Sequence, residues 1–203
     1  MIIDTYQTIA LPAEGLYKEK GSRFLSFAYP IDNEDAIKSI LAGIRKEHFP
    51  ARHCCYAWSL GIDQERYRIN DDGEPSGTAG RPIFGQIKSN QLTNILLVVV
   101  RYFGGTLLGV SGLIHAYRQA AGEAISNAVL VTRIVESQVE IFFDYTAMNS
   151  LMQLIKEEQL EIVNSQFNLQ SVITIKVRSA RLEAIETKIL KTQGILECKI
   201  VQE

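Results

Sequence analysis

The sequence predicts an α+β fold in two domains, residues 1–133 and residues 134–203. Three observations predict it. Residues 134–203 carry hydrophobic periodicities in the order βαββαβ, the split, ferredoxin-like arrangement. Residues 95–100, Ile95-Leu96-Leu97-Val98-Val99-Val100, form an unbroken apolar run that is short and rich in β-branched side chains. Such a run reads as a strand buried on both faces. A glycine-bearing loop and a long helical pattern over about residues 110–129 follow it. A chain of 203 residues suffices for one large or two small domains.

Residues 5–11 alternate loosely and read as an edge strand. Residues 15–20 and 23–30 read as two strands about a Lys20-Gly21-Ser22 turn. Asp32 or Asn33 caps a helix whose first turn carries Glu34 and Asp35, as the helix dipole favours. Ile37, Ile40, Leu41 and Ile44 give that helix one apolar face, and Pro50 closes the region. Residues 53–60 alternate Cys54, Tyr56, Trp58 and Leu60 against His53, Cys55, Ala57 and Ser59, which is a strand. A turn over residues 61–64 and a partner strand over residues 65–69 follow. Residues 70–82 are polar, and Ser76-Gly77-Thr78 is expected to cap a short helix reaching about Lys88. The long helix turns Leu113, Ala116, Tyr117, Ala120 and Ala124 inward, and the small residues allow it close to a sheet. His115 lies on another side, with Ser111 and Arg118.

Beyond a boundary at residues 131–136 the pattern reads strand (138–143), helix (146–158), strand (161–167), strand (172–178), helix (181–193), strand (195–201). Asn168-Leu169-Gln170 joins the middle strands. Met148, Leu151, Met152 and Ile155 form the inner face of the first helix; Leu182, Ile185 and Ile189 form that of the second.

The net charge is −2, so bulk electrostatics neither recruit nor exclude nucleic acid. Residues 1–133 hold 14 Lys and Arg against 13 Asp and Glu, whereas residues 134–203 hold 7 against 10. The acidic second part is therefore the poorer RNA surface. Three cysteines, two of them adjacent, make no disulfide framework. With no signal-like start and no apolar run near the ~20 residues of a membrane span, a cytoplasmic protein is expected, with no membrane partner.

Four stretches invite a chemical reading. In the first, a strand, a glycine loop and a helix start follow one another, which aims backbone N–H groups at one point beside a helix dipole. Gly104, Gly105, Thr106, Gly109, Ser111 and Gly112 then cradle a phosphate, with Arg101 at the strand's end. Alternatively the glycines serve only a tight turn and close packing, since they match neither the Walker loop nor the dinucleotide fingerprint. In the second, Asp71, Asp72 and Glu74 stand within four positions, ahead of Ser76, Thr78 and Arg81. They hold a hydrated Mg²⁺, or supply a general base, or are Asp-Gly turn chemistry before a helix cap. In the third, Arg52-His53-Cys54-Cys55, alternation keeps His53 from Cys54; Cys55 shares its face, but buried, inert thiols are the favoured reading. The fourth, Lys20-Gly21-Ser22-Arg23-Phe24, is read as a solvated hairpin tip, and Thr174, Lys176 and Arg178 as a solvent-facing strip opposite Ile173, Ile175 and Val177.

Lys20–Phe24, Ala51-Arg52-His53-Cys54, the block Asp71-Asp72-Gly73-Glu74-Pro75-Ser76-Gly77-Thr78-Ala79-Gly80, and Val98-Val99-Val100-Arg101-Tyr102-Phe103-Gly104-Gly105 through Leu108-Gly109 together resemble the IMPACT family, in its bacterial YigZ branch. The resemblance covers the whole chain in layout. It implies a ribosomal protein S5 domain 2-like fold for residues 1–133. For residues 134–203 it implies similarity to a domain of translation elongation factor G. Eukaryotic relatives regulate translation initiation by competing for the activator of a starvation-responsive initiation-factor kinase. They use an additional N-terminal domain for this, which is not expected in this chain. The family is similar in its motifs but commonly has glycine where Ser111 stands and a bulkier aliphatic residue where Thr106 stands; both departures add hydroxyls to the cradle. The resemblance brings no established enzymatic activity with it, and whether the chain catalyses anything stays open.

Two readings of function result. In the first, a non-enzymatic, translation-associated regulatory protein binds RNA or a ribosomal partner through a cleft of the first domain, with Arg52, His53, Arg81 and Arg101 facing phosphate and no cofactor. In the second, a Mg²⁺-dependent enzyme acts on a phosphorylated small molecule or nucleotide, with Asp71, Asp72 and Glu74 as the metal set.

Overall fold

The computed structural model describes residues 4–62, 66–167 and 171–201. They form a mixed α and β structure that divides into two compact units, Tyr6–Arg133 and Ile134 onward with Asp4 and Thr5. The turn expected over residues 61–64 falls partly outside the described residues, and the connection Asn168-Leu169-Gln170 wholly so. No described helix is long and apolar enough to cross a membrane.

The first unit is built from β1 (Thr5–Ile9), β2 (Ala13–Glu19), β3 (Ser22–Pro30), α1 (Glu34–Glu47), β4 (His53–Leu60), β5 (Arg66–Asn70), α2 (Gly80–Ser89), β6 (Ile95–Tyr102), α3 (Gly109–Ser126) and β7 (Leu130–Ile134). Five strands make one sheet in the order β2-β3-β6-β4-β5, and β1 pairs with β7 in a small ribbon. Every pairing in the large sheet is antiparallel. The rule that places ligands at a parallel sheet's switch point therefore gives no support to a site at Arg101.

β6 is nonetheless sealed on both faces, because helices cover both. Leu96, Val98 and Val100 join Trp58, Cys54, Ile37 and Ile44 under α1. Ile95, Leu97 and Val99 join Ile83, Ile87, Tyr117, Ala120 and Ala124 under α2 and α3. The small inward residues of α3 do allow close approach: a Cβ on Gly15 of β2 would lie 2.6 Å from the Ala124 backbone nitrogen.

The starts of α1 and α2 are satisfied in different ways. Asn33 is the N-cap of α1, its side chain accepting from the Ala36 amide. The expected cap of α2 at Ser76-Gly77-Thr78 is not formed. The helix starts at Gly80, and the N-cap residue Ala79 offers no side-chain acceptor. The acceptor comes instead from Asp71, across the loop.

The second unit runs β8 (Glu136–Phe143), a 3₁₀ turn (Tyr145–Ala147), α4 (Met148–Glu157), β9 (Glu161–Phe167), β10 (Ser171–Arg178), α5 (Leu182–Leu190) and β11 (Ile195–Val201). The sheet order is β11-β8-β10-β9, so the first and third strands of the unit are central. Val139, Ile141, Phe143, Ile173, Ile175 and Val177 pack beneath Leu151, Ile155, Ile185 and Ile189. The strip on the other face is less solvated than expected. Thr174 is buried in it, and Arg178 pairs with Asp4.

Candidate functional site

The site lies where three loops of the first unit meet at one end of its sheet. Antiparallel pairing sets His53 of β4 opposite Arg101 of β6, and Arg23 of β3 opposite Tyr102. The segments just beyond these residues, 20–22, 71–80 and 103–108, therefore share one edge.

The β2–β3 turn has two residues, Lys20 and Gly21, both at positive φ (45° and 80°), the geometry that suits hairpin twist. This tip is not simply solvated. A Cβ on Gly104 would sit 1.9 Å from the Gly21 carbonyl carbon, and the Gly104 amide donates to Ser22 Oγ (3.1 Å). Gly104 is thus required by two touching backbones. Gly105 and Gly109 are required by φ of 86° and 71°, with nothing near enough to crowd a side chain.

The 71–80 loop is held by its own carboxylates, and each has a different partner. Asp71 Oδ1 accepts from the amides of Ala79 (3.0 Å) and Gly80 (2.8 Å), and Oδ2 from Gly77 (2.9 Å). Burial pushes its carboxyl up, but these three donors and the Arg81 charge outweigh that and leave it below the ordinary value. Asp72 Oδ2 accepts from the Cys54 amide (2.7 Å), and Oδ1 meets Arg45 Nη2 (2.5 Å). Glu74 is buried; its Oε1 takes Arg101 Nη1 (2.6 Å) and the Tyr117 hydroxyl (2.9 Å). The three therefore do not converge on one point. Among the described residues no three His, Cys, Asp or Glu side chains gather as a metal set.

His53 Nδ1 lies 2.9 Å from the Asp72 carbonyl oxygen. A carbonyl only accepts, so the ring carries its proton on Nδ1 and turns Nε2 elsewhere. Cys55 does not approach His53. Its Sγ lies 3.0 Å from the Asp71 carbonyl oxygen and 3.4 Å from the Tyr117 hydroxyl. Burial pushes the Cys55 thiol far up and the Cys54 thiol up to about 11, so neither is a thiolate at neutral pH.

A cavity of about 1010 Å³ opens between these loops. Arg23, Arg52, His53, Glu74 and Arg101 supply its polar lining; Pro50, Tyr102, Phe103, Leu107, Leu108 and Val110 supply much of the rest. Three guanidinium groups thus face one carboxylate. Arg101 is 6% exposed, lies between the rings of Phe24 and Phe103 (5.5 and 5.6 Å to the centroids), and has a buried Nε with no hydrogen-bond partner among the described residues. Phe103 and Leu107 are 55% and 84% exposed.

Of the residues expected to face phosphate, Arg52, His53, Arg101 and Gly109 line this cavity. Arg81 does not: it lines a separate, smaller hollow with Gln86, Ser89 and Arg118. Gly104, Gly105, Thr106, Ser111 and Gly112 are outside the lining, to which the start of α3 contributes Gly109 and Val110. Arg23 was legible only as part of a basic turn, and Tyr117 only as a core residue. A lone hydroxyl on an otherwise small apolar face was the available signal for Tyr117.

Residues 20–125 match the family described as the Impact N-terminal domain. The chain is 29% identical to "IMPACT family member YigZ" of Escherichia coli K12, over 96% of this chain and 97% of that protein. It is 30% identical to "IMPACT family member" of Haemophilus influenzae over 90% of each, and 32% identical to "IMPACT family member YvyE" of Bacillus subtilis over 78% of this chain and 73% of that one. A solved structure titled "Crystal structure of an hypothetical protein" superposes with a TM-score of 0.75 at 27% identity, covering both chains fully.

Proposed function

The chain belongs to the IMPACT family, and from that premise we propose that it is a translation-associated regulatory protein that binds single-stranded RNA, free or within a ribosome, in the cavity of its first unit. One observation carries the reading: cationic and aromatic side chains line the same hollow. Arg23 and Arg52 sit at the wall without an ion-pair partner among the described residues, beside exposed Phe103 and half-buried Tyr102. Guanidinium groups take phosphate oxygens in a fork, and aromatic faces take unstacked bases. The reading sets the protein in the cytoplasm. It treats residues 1–133 as an S5 domain 2-like domain and residues 134–203 as ferredoxin-like. The strand order of the second unit, with the first and third strands central, supports the latter.

No observation favours the Mg²⁺-dependent reading, because Asp71, Asp72 and Glu74 each face a different protein partner. Arg101 is also unsuited to testing the RNA reading by truncation, since its removal strands the Glu74 carboxylate. Arg23 and Arg52 are the informative positions. Arg52→Ala and Arg23→Ala should each weaken binding of a single-stranded RNA, measured by fluorescence anisotropy across a salt series. Each should lower the slope of log affinity against log salt by about 0.7. Unchanged affinity and slope in both variants would overturn the proposal.

A further inference from the structure

We propose that the bound RNA strand runs on from the cavity over the 71–80 loop into the hollow between α2 and α3, where Arg81 and Arg118 hold a further phosphate. This rests on the RNA-binding reading and extends the path of the strand.

The cavity and the hollow adjoin. Pro75 lines the cavity and Gly77 the hollow, two residues apart in one loop. The chain between them spans about 7 Å at most. Its crest, Pro75 and Ser76, is exposed. Along α3, Val110 and Leu113 line the cavity, while Ile114 and Arg118 line the hollow. Val110 and Ile114 are neighbours one helical turn apart.

The hollow is cationic. Its volume is about 430 Å³, and its lining holds two guanidinium groups and no carboxylate. Both arginines are exposed, so their donors are open to a ligand, and neither has an ion-pair partner among the described residues. Asp71 feels the Arg81 charge, but its two oxygens already accept from three backbone amides. α2 carries no acidic residue, and α3 carries only Glu123, which packs toward Gly15 of β2. The two helices thus give the groove cations without countercharge, and phosphate supplies that charge on binding. Continuity with the cavity makes the anion a phosphate of the same strand. Gly85 adds room. It sits inside α2, where glycine weakens a helix, yet a Cβ there would meet nothing within 4 Å. Packing does not require this glycine, and its bare backbone leaves the hollow open.

The test follows a single-stranded RNA of about 12 nucleotides by fluorescence anisotropy across a salt series. Arg81→Ala and Arg118→Ala should each lower the slope of log affinity against log salt by about 0.7, as one lost phosphate contact does on a single strand. Gly85→Glu favours the helix and should weaken binding by setting a negative charge in the hollow. Lys38→Ala is the control. It removes an exposed cation from α1, on the other face of the sheet, and should leave the slope unchanged. Arg23→Ala and Arg52→Ala, measured alongside, keep the outcomes apart. Slopes lowered in those two but unchanged in Arg81→Ala and Arg118→Ala overturn the extended path and leave the cavity reading standing. A slope lowered as much by Lys38→Ala as by the hollow variants marks a diffuse field instead of a contact, and also overturns the extended path. Slopes lowered in the hollow variants alone overturn the cavity reading and, with it, a strand that runs on from there. No binding of the RNA overturns both.

Discussion

The 71–80 loop and the 103–108 loop share two features as strings: both are glycine-bearing and both are placed between a strand and a helix. In the folded chain they are opposites. The first is tied down by its own side chains, Asp71 to three amides, Asp72 to Arg45 and the Cys54 amide, Glu74 to Arg101 and Tyr117. The second is anchored at one end, where Gly104 meets Gly21 and Ser22, and then presents Gly105, Thr106 and Leu107 to solvent. On the proposed reading, the difference separates scaffold from receptor. Where the carboxylates of a loop each have protein partners, the loop builds the wall of the cavity; on the RNA-binding reading, the loop with few such partners is the one that meets the ligand.

The largest test of that contrast is Glu74→Ala. It leaves the Arg101 charge buried without its counterion and removes the acceptor of Tyr117, and truncating one partner of a buried pair costs about 3–5 kcal/mol. Chemical denaturation should show a loss of that order. Replacing both members with apolar residues of similar volume, Glu74→Leu with Arg101→Met, should recover much of it. A single variant as stable as the wild type would mean that the first loop is not scaffold.

Asp71→Ala comes next. It removes the acceptor that caps α2 from outside the helix, at a cost of about 1–2 kcal/mol. The sign of its pH dependence follows from a carboxyl held below its ordinary value. Its contribution is complete above the unfolded value of about 3.9 and is lost as pH falls through the lower folded value. The stability difference between wild type and variant should therefore be constant from neutral pH to about pH 4–5 and close in stronger acid. A difference that stays constant into strong acid would show that the charge of Asp71 does not hold the helix start.

Much of the fold was legible because hydrophobic periodicity is local. The run Ile95–Val100, the inner face of α3 and the βαββαβ order all came from spacing alone. The site was legible only in part. That Arg101 and the 71–80 loop share one end of the sheet follows from β4 lying beside β6, and no local pattern encodes strand neighbours. Metal ligand, general base and turn chemistry all stayed open for Asp71, because nothing near it in sequence shows that the amides of residues 77, 79 and 80 curl back onto it. Arg81 read as a contact of the same cleft as Arg101 because its side of α2 is invisible until α2 packs on α3. The glycines at 104, 105 and 109 were seen, but their reasons differ: a backbone contact at the first, positive φ at the other two.

The smallest change in stability should come from Phe103→Ala in the open loop. Phe103 is more than half exposed, and the contact it loses is the cation–π contact with Arg101, about 0.5–1 kcal/mol. If its ring instead receives a base, RNA affinity should fall by about 1–3 kcal/mol, the range for a base–aromatic stack. The two measurements move in opposite order to those for Asp71→Ala, where the fold suffers first and binding follows only through it. A Phe103→Ala variant that melts much earlier yet binds RNA as the wild type does would place this loop with the scaffold, and the division of labour between the two loops would be lost.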